Sequence, residues 1–484
     1  MRMIGPGELV SEATGLLDKG FRIALIAGHD DGDALRAVYV FTRPGQVEEL
    51  HVPLPRHRPH LPSLAGFSFP AGRFEREMHD LYGIVPDRHP LPRRLVRHFH
   101  WPKGWHPMLD DAGDPPAFGD IEGPYPFRAV EGAGVYEIPV GPVHAGMIEP
   151  GHFRFSVVGE TILNLKARLW FVHRGIEKLF QGRSVENAIE LAERISGDTA
   201  VGHTLSFCLA VENACGLRVP DEAQWIRSLL LELERIYNHV GDIGALCNDV
   251  GHGILNAQAL RIREQLLRIN DTVTGHRLLR GGIRPGGATL RRLPDPTKLR
   301  SLAADIAEVV SLALGHSVVR DRFTGTAVLG KQQATDLGTL GYVARASGLA
   351  IDARIDHPCS DTRPDLSNPN DSGDVLARFL IRAGEIQDSV RLVEDTISRL
   401  DGRLESHTAT TGTGISGVGI AEGWRGTIVH RIEFNGDRTL RRVKIVDPSF
   451  FNWPALPVAL TDTIVPDFPL ANKSFNLSYA GNDL

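Results

Sequence analysis

The apolar residues change period along this chain, and that change limits the folds open to it. Between Phe21 and Pro55, in FRIALIAG, DALRAVYVFT and EELHVPLP, apolar and polar residues alternate, with the turn residues HDDGD and RPG between the runs. Alternation sends successive side chains to opposite faces of a sheet, so three short strands joined as hairpins are expected. RFEREMHDLYGI follows, with Phe74, Met78 and Leu81 at helical spacing. Beyond Ser184 the three-and-four spacing of helices takes over. In SVENAIELAERI, Val185, Ala188, Ile189, Ala192 and Ile195 form one stripe, and Ser184 stands where a capping side chain belongs. A second helix is expected from Val201 to a stop at Gly216. A third, entered through Pro220, carries the stripe Ile226, Leu229, Leu230, Leu233, Tyr237 and Val240. A fourth covers roughly residues 373–404, with Phe379, Ile386, Val390, Val393, Ile397 and Leu400 on one face. FRFSVVG and TILNLKARLWF flank a Gly-Glu turn and read as a hairpin. The expected fold is an α+β N-terminal domain followed by a mainly α-helical domain with small β-hairpins.

The boundary falls in a stretch without periodicity. From Val85 to Val130 the chain is rich in Pro, His, Arg and Trp, and HPMLDDAGDPPAFGDIEGPYPF within it is dominated by turn and charged residues. It reads as an extended linker, giving domains over residues 1–130 and 131–484. The length of 484 residues leaves room for two or three cores, and 42% hydrophobic with 23% charged residues is an ordinary soluble mixture. A net charge of −6 offers no nucleic-acid surface. The opening MRMIGPGELVSEATG has no apolar core of signal-peptide type. The most apolar run, LAADIAEVVSLALGHSVV, is interrupted by Asp305, Glu308 and His316 and reads as an amphipathic helix. The expected place is therefore the cytosol, or the cytoplasmic side of a membrane by docking to partners.

Cys208, Cys215, Cys247 and Cys359 contain no CxxC pair, so they read as small buried residues rather than ligands of a metal or cluster. LLRGGIRPGGATL is rich in glycine but has neither GxGxxG spacing nor a GK[ST] ending, which argues against nucleotide binding. Arg378, Arg382 and Glu385 are helically spaced; they read first as a solvated helix face, with a charge relay toward a membrane partner as the alternative.

Several separated motifs, in order, carry a family resemblance. EREMHDLYGIVPDRHP resembles the signature of the thirty-kilodalton subunit of complex I. GPVHAG, HRGIEKL, ERISGDTAVGH, GYVARASGLAIDARIDHP and DPSF resemble the large subunit of [NiFe] hydrogenases and the complex I quinone-site subunit related to it. The order of the blocks and the ending DFPLANKSFNLSYAGNDL resemble the fused large subunits of energy-converting hydrogenases and formate hydrogenlyases. In that family two CxxC pairs supply the thiolates that hold nickel, and soft thiolate ligation suits that chemistry. Here Ser196 and Thr199 stand at the first pair and Ser449 and Asn452 at the second, so no nickel is expected.

The frame around those positions is kept in Arg194, Gly197, His203, Asp447 and Pro448, and in GVGIAEGWRGTIVH with Glu422 and Arg425. Gly423 and Trp424 stand where the family has Ala-Pro. His203 and Asp447 are open to two readings, a functional site or helix packing alone. In GPVHAGMIEPGHFRF, His152 matches the histidine that contacts quinone in complex I, and Glu149 matches a proton-passing glutamate of hydrogenases. A turn cap is the plainer reading of His152, and His144 is as readily structural. A tyrosine that complex I uses in the stretch matching Arg194–His203 is missing. The resemblance thus implies catalytic roles for Glu149, His152, Arg425 and Asp447, with His144, His203 and Glu422 near the acceptor. It implies an oxidoreductase subunit of a membrane complex that binds no cofactor itself. A partner Fe-S subunit would hold a [4Fe-4S] cluster, a quinone would be the acceptor, and complex-I-type or antiporter-type membrane subunits would move ions. A non-catalytic scaffold of such a complex is the alternative. An active hydrogenase is disfavoured by the missing cysteines.

Overall fold

The alternating segments do form a sheet. The structure is a computed structural model describing residues 1–119, 123–144, 148–367, 370–409 and 412–484. Three residues of the linker and three of the GPVHAGMIEPGHFRF stretch, 120–122 and 145–147, therefore lie outside the described residues. Strands β1 (Arg2–Met3), β2 (Arg22–Asp30), β3 (Ala34–Arg43) and β4 (Gln46–Pro55) make a sheet in the order β1-β4-β3-β2, with β2, β3 and β4 antiparallel neighbours. Helix α1 (Leu9–Asp18) leads into β2, and α2 (Phe69–Tyr82) packs on it. Gly83, at φ 72°, caps α2.

Alternation normally leaves one face wet, but here the polar face is covered. Arg36 pairs with Glu433 at 2.8 Å, Arg431 with Glu49 at 3.2 Å, and Lys444 reaches Glu77 on α2 at 2.6 Å. His29 and His51 are each only 1% exposed. The N-terminal block is thus seated on the end of the chain, across a buried ionic seam.

The linker lacks long elements, as its composition implies, yet it is strapped down on both sides. The Asp80 carboxylate accepts from the amides of Leu95, Val96 and Arg97 at 2.7, 2.9 and 3.2 Å, while Arg168 donates to the carbonyls of Leu95 and Arg97.

The second block opens with a three-stranded sheet, β5 (Val135–Val140), β6 (His152–Val158) and β7 (Thr161–Arg168), of which β6 and β7 are the expected hairpin. Helices α3 (Ile176–Phe180), α4 (Val185–Ala192), α5 (Ala200–Cys215), α6 (Asp221–Asp249), α7 (Gly253–Thr274), α8 (Pro296–Gly315) and α9 (Val375–Leu400) follow. Ser184 caps α4 by accepting from Asn187 N, and Gly216 ends α5 in the left-handed region. The stripe of α6 is buried throughout, with α9 packed along it. Arg378 and Arg382 on α9 are fully buried, which corrects their reading as a solvated face: both are satisfied by backbone carbonyls, and Arg382 also by Asp242 at 3.1 Å. After α8 the chain bends by 85° into Ser317–Phe323, and among the described residues no single helix is long and apolar enough to cross a membrane.

A last sheet, β8 (Ser416–Gly423), β9 (Gly426–Phe434) and β10 (Leu440–Val446), gives no alternating signal because β9 is buried at every position. It lies against α5 at backbone distance. A Cβ on Gly417 would come within 2.3 Å of Ala210 O, and one on Gly419 within 2.0 Å of Ser206 O, so only glycine fits. The chain closes with α10 (Pro448–Asn452), α11 (Phe468–Phe475) and α12 (Tyr479–Asp483).

Candidate functional site: hydroxyls where thiolates are expected

The tight packing of the β8–β10 sheet on α5 brings three titratable groups together. Asp447 leaves β10 and caps α10, its Oδ1 accepting from Ser449 N at 2.7 Å, with Pro448 in the first turn. Its Oδ2 lies 3.1 Å from Nε2 of His203 on α5, and Nδ1 of His203 lies 3.2 Å from Nε2 of His430 on β9. All three are buried. The carboxylate accepts from His203 Nε2–H, and a single hydrogen bond joins His203 Nδ1 to His430 Nε2. His430 Nδ1 is a buried nitrogen without a hydrogen-bond partner among the described residues. Burial, and then the neighbouring His203, push the pKa of His430 far down, so it is neutral. Burial raises that of Asp447, but the His203 hydrogen bond and the charges of His203 and Arg425 outweigh it and hold it below the usual carboxylate value.

Beside this line the four positions of interest are all buried and all bonded. Gly481 N donates to Ser478 Oγ at 2.8 Å, Ser478 Oγ lies 2.9 Å from Ser196 Oγ, and Ser196 donates to Asp198 at 3.0 Å. Thr199 also donates to Asp198, at 2.9 Å. Arg425 closes the group with a two-pronged ion pair to Asp198, 2.7 Å on each arm, while its guanidinium stacks on Trp424 at 4.0 Å. Burial opposes the Asp198 charge, but Arg425 more than offsets it, so the carboxyl stays well below its ordinary value. Ser449 Oγ accepts from Ser478 N at 2.9 Å. Asn452 clamps the backbone of Leu340, accepting from its N–H at 2.8 Å and donating to its carbonyl at 3.1 Å.

The other expected residues divide. Glu149, exposed at its outer face, accepts from Ala480 N at 3.0 Å, so it meets α12 one residue before the point where Gly481 lies against the Asp447 carboxylate. His152 is half-buried and engaged at both nitrogens, Nδ1 with Gly141 O at 3.0 Å and Nε2 with Arg154 at 3.2 Å. His144 is half-buried beside Gly141. Glu422 belongs to a different group: it accepts from Arg345 at 3.1 Å, Ala353 N at 3.0 Å and Thr427 at 2.8 Å, within a buried ion cluster that includes Asp352 and Glu385. Burial, then the nearby Asp352, raise its pKa. Asp198, His430 and Ser478 were missed. Asp198 had a signal, an acid between two ligand positions with a free arginine elsewhere in the motif set; the other two had none.

Comparison with known proteins agrees over most of the chain. The chain matches the family described as respiratory-chain NADH dehydrogenase, 30 Kd subunit, over residues 4–114; nickel-dependent hydrogenase over 174–243; and respiratory-chain NADH dehydrogenase, 49 Kd subunit, over 249–414. Hydrogenase-4 component G of Escherichia coli is 33% identical over 425 residues, covering 84% of this chain and 73% of the relative. Formate hydrogenlyase subunit 5 of the same organism is 31% identical over 450 residues, covering 90% and 79%. The chain belongs to the [NiFe]-hydrogenase and complex I large-subunit family, in its fused form. Relatives of this large subunit are components of membrane-bound hydrogenase and NADH-quinone oxidoreductase complexes. A chain of the archaeal membrane-bound sulfane sulfur reductase shares the fold, with a TM-score of 0.64 at 23% identity over 72% of this chain and 98% of that one.

The family implies a nickel centre, and the donors present do not fit one. Two serines, a threonine and an asparagine offer neutral oxygens in place of thiolates, and each is already committed to a protein partner. Among the described residues no group of three or more His, Cys, Asp or Glu is arranged to hold a metal ion.

Proposed function

We propose that the chain is the large subunit of a membrane-associated, complex-I-like oxidoreductase that works without a NiFe centre. It would pass electrons from a partner Fe-S subunit to an acceptor, a quinone in the first instance, and couple this to ion movement in membrane subunits. The observation that carries this reading is that Ser196, Thr199, Ser449 and Asn452 stand where the family places thiolates and are each bonded within the protein, Ser196 and Thr199 to an Asp198 pinned by Arg425. Next to these positions, Asp447, His203 and His430 form a buried, hydrogen-bonded line of titratable groups, the kind of arrangement along which a proton for reduction of a neutral acceptor can be passed. Glu149 lies on the outer side of α12 and would relay protons from solvent. His152 would give up its proton only by releasing the Gly141 carbonyl.

A second reading, a non-catalytic scaffold, is favoured by one observation. The cavities of about 540, 450 and 280 Å³ are lined by other residues and not by Glu149, His152, Arg425 or Asp447. Purification of the intact complex with metal analysis and a quinone-reduction assay separates the readings. Iron without stoichiometric nickel and with quinone reduction supports the enzyme. Iron without any acceptor reduction supports the scaffold. About one nickel per chain with hydrogen uptake sinks both.

A further inference from the structure

The buried arginines of this protein are mostly paired with carboxylates, and three depart from that rule: Arg378, whose donors meet two backbone carbonyls and the Ser474 hydroxyl, and two that share one cavity, Arg73 and Arg168. Arg73 on α2 is 8% exposed and Arg168 at the end of β7 is 4% exposed, yet neither has a carboxylate within ion-pair distance among the described residues. Arg73 donates to Phe450 O and, at 3.3 Å, to Asn482 Oδ1. Arg168 donates to the carbonyls of Leu95 and Arg97. The acids nearest in space are committed elsewhere: Glu77 to Lys444, Asp80 to the amides of the linker strap, and Asp483 to Val172 N and Asn482. Burial therefore pulls the pKa of Arg73 down to about 9 and that of Arg168 to about 10. A buried cation without a counter-charge is costly.

Both guanidiniums line one cavity of about 280 Å³, closed mainly by aromatic and apolar side chains such as Phe69, Leu91, Trp170 and Trp453. Their flat faces are occupied: Arg73 stacks on Phe450 at 4.4 Å, and Arg168 on Tyr125 at 4.7 Å. Only edge N–H groups remain for a ligand, which is the geometry a planar carboxylate matches. The backbone bonds fix both forks in advance, so little ordering is needed on binding. The volume lies just under the roughly 300–1,000 Å³ of drug-sized pockets. We propose that this cavity is a binding site for a small organic carboxylate with an aromatic or short alkyl body.

Titration calorimetry on the chain purified with its partner subunits tests this, using benzoate and hexanoate against benzamide and hexanamide. The expected result is saturable binding of the acids, with the matched amides at least tenfold weaker, since hydrogen bonds to a charged group are the stronger ones. Arg73→Met and Arg168→Met should each weaken acid binding at least tenfold while raising the melting temperature of the unliganded complex. Should either fail to assemble, Arg168→Lys keeps the charge, loses the fork, and should bind benzoate measurably but more weakly than the parent. Equal affinity for acid and amide, or no saturable binding by any acid, overturns the proposal. So does binding that appears only after the partner subunits are stripped away, which would mean that a partner's acidic side chain fills the cavity. So, too, does benzoate binding that appears only in a D120N/E122Q variant, which would mean that the chain supplies its own counter-charge.

Discussion

Replacing Asn452 by alanine asks whether the former ligand positions are now structural. Asn452 supplies both the acceptor for Leu340 N–H and the donor for Leu340 C=O, at 2.8 and 3.1 Å, and Leu340 is 1% exposed. Truncation strands two backbone groups away from water. Each unsatisfied buried group costs about 1–3 kcal/mol, so the loss for the two should total about 2–6 kcal/mol, roughly thirtyfold or more in the folded-to-unfolded ratio. Asn452→Asp should be at least as damaging, because its second oxygen faces the Leu340 carbonyl and brings a buried charge. Ser449→Ala removes only the acceptor for Ser478 N and should cost about half as much, roughly 1–3 kcal/mol. Pulse proteolysis in a urea series, on the chain copurified with its partners, gives these differences directly. If Asn452→Ala falls within about 0.5 kcal/mol of the parent, the size of an ordinary surface change, the clamp is not holding the fold. The position would then be free to serve a ligand, and the reading of a filled chamber fails.

Other outcomes follow from the same contacts. Limited proteolysis should cut between Asp110 and Phe127, but the two fragments should stay together through the Glu77–Lys444, Arg36–Glu433 and Glu49–Arg431 pairs and separate only in denaturant; fragments that part in native buffer would contradict the seam. Burial raises the Asp483 carboxyl from 3.8 to about 6, so the folded chain loses stability as pH climbs from about 4 through 6. Asp483→Asn should therefore gain relative to the parent across that window, levelling off about 2–3 kcal/mol higher above pH 6, and a difference that is flat with pH refutes it. If the chain carries an active acceptor site, His152→Ala should slow acceptor reduction about a hundredfold or more, and Glu149→Gln should impair proton coupling, both with assembly intact. Parent rates in both variants would move the chemistry elsewhere or favour the scaffold.

The sequence revealed most where apolar and polar side chains repeat with the period of the element. Strands β2 to β4, the helix from Phe69 and the stripes of α4, α6 and α9 all carried a legible pattern. The sheet from Ser416 to Val446 did not, because strands buried on both faces lose their alternation, and its glycine contacts with α5 depend on tertiary approach alone. The burial of Arg378 and Arg382 was illegible for a related reason. Their partners are mostly carbonyls of distant segments, and a carbonyl has no signature in sequence. In the site, the absent thiolates could be read at once, but the use to which Ser196, Ser449 and Asn452 are put depends on Ser478 and Leu340, which no motif marks.

The ionic seam also fixes when this protein can finish folding. Thr42 waits for His357, 315 residues later; Glu77 for Lys444, 367 later; Arg73 for Phe450, 377 later; Glu49 for Arg431, 382 later; and Arg36 for Glu433, 397 later. A ribosome delivers residues from the N-terminus at about 5–20 per second. The first block therefore emerges tens of seconds before the strands that cover its charged face exist. During that interval the sheet face that the late strands will cover stands with His29, Arg36 and Glu49 bare to water, and a polar face of that kind keeps a nascent half soluble better than an apolar one would. The polar face that looks wasteful in the finished protein is what lets its first hundred residues wait for its last sixty.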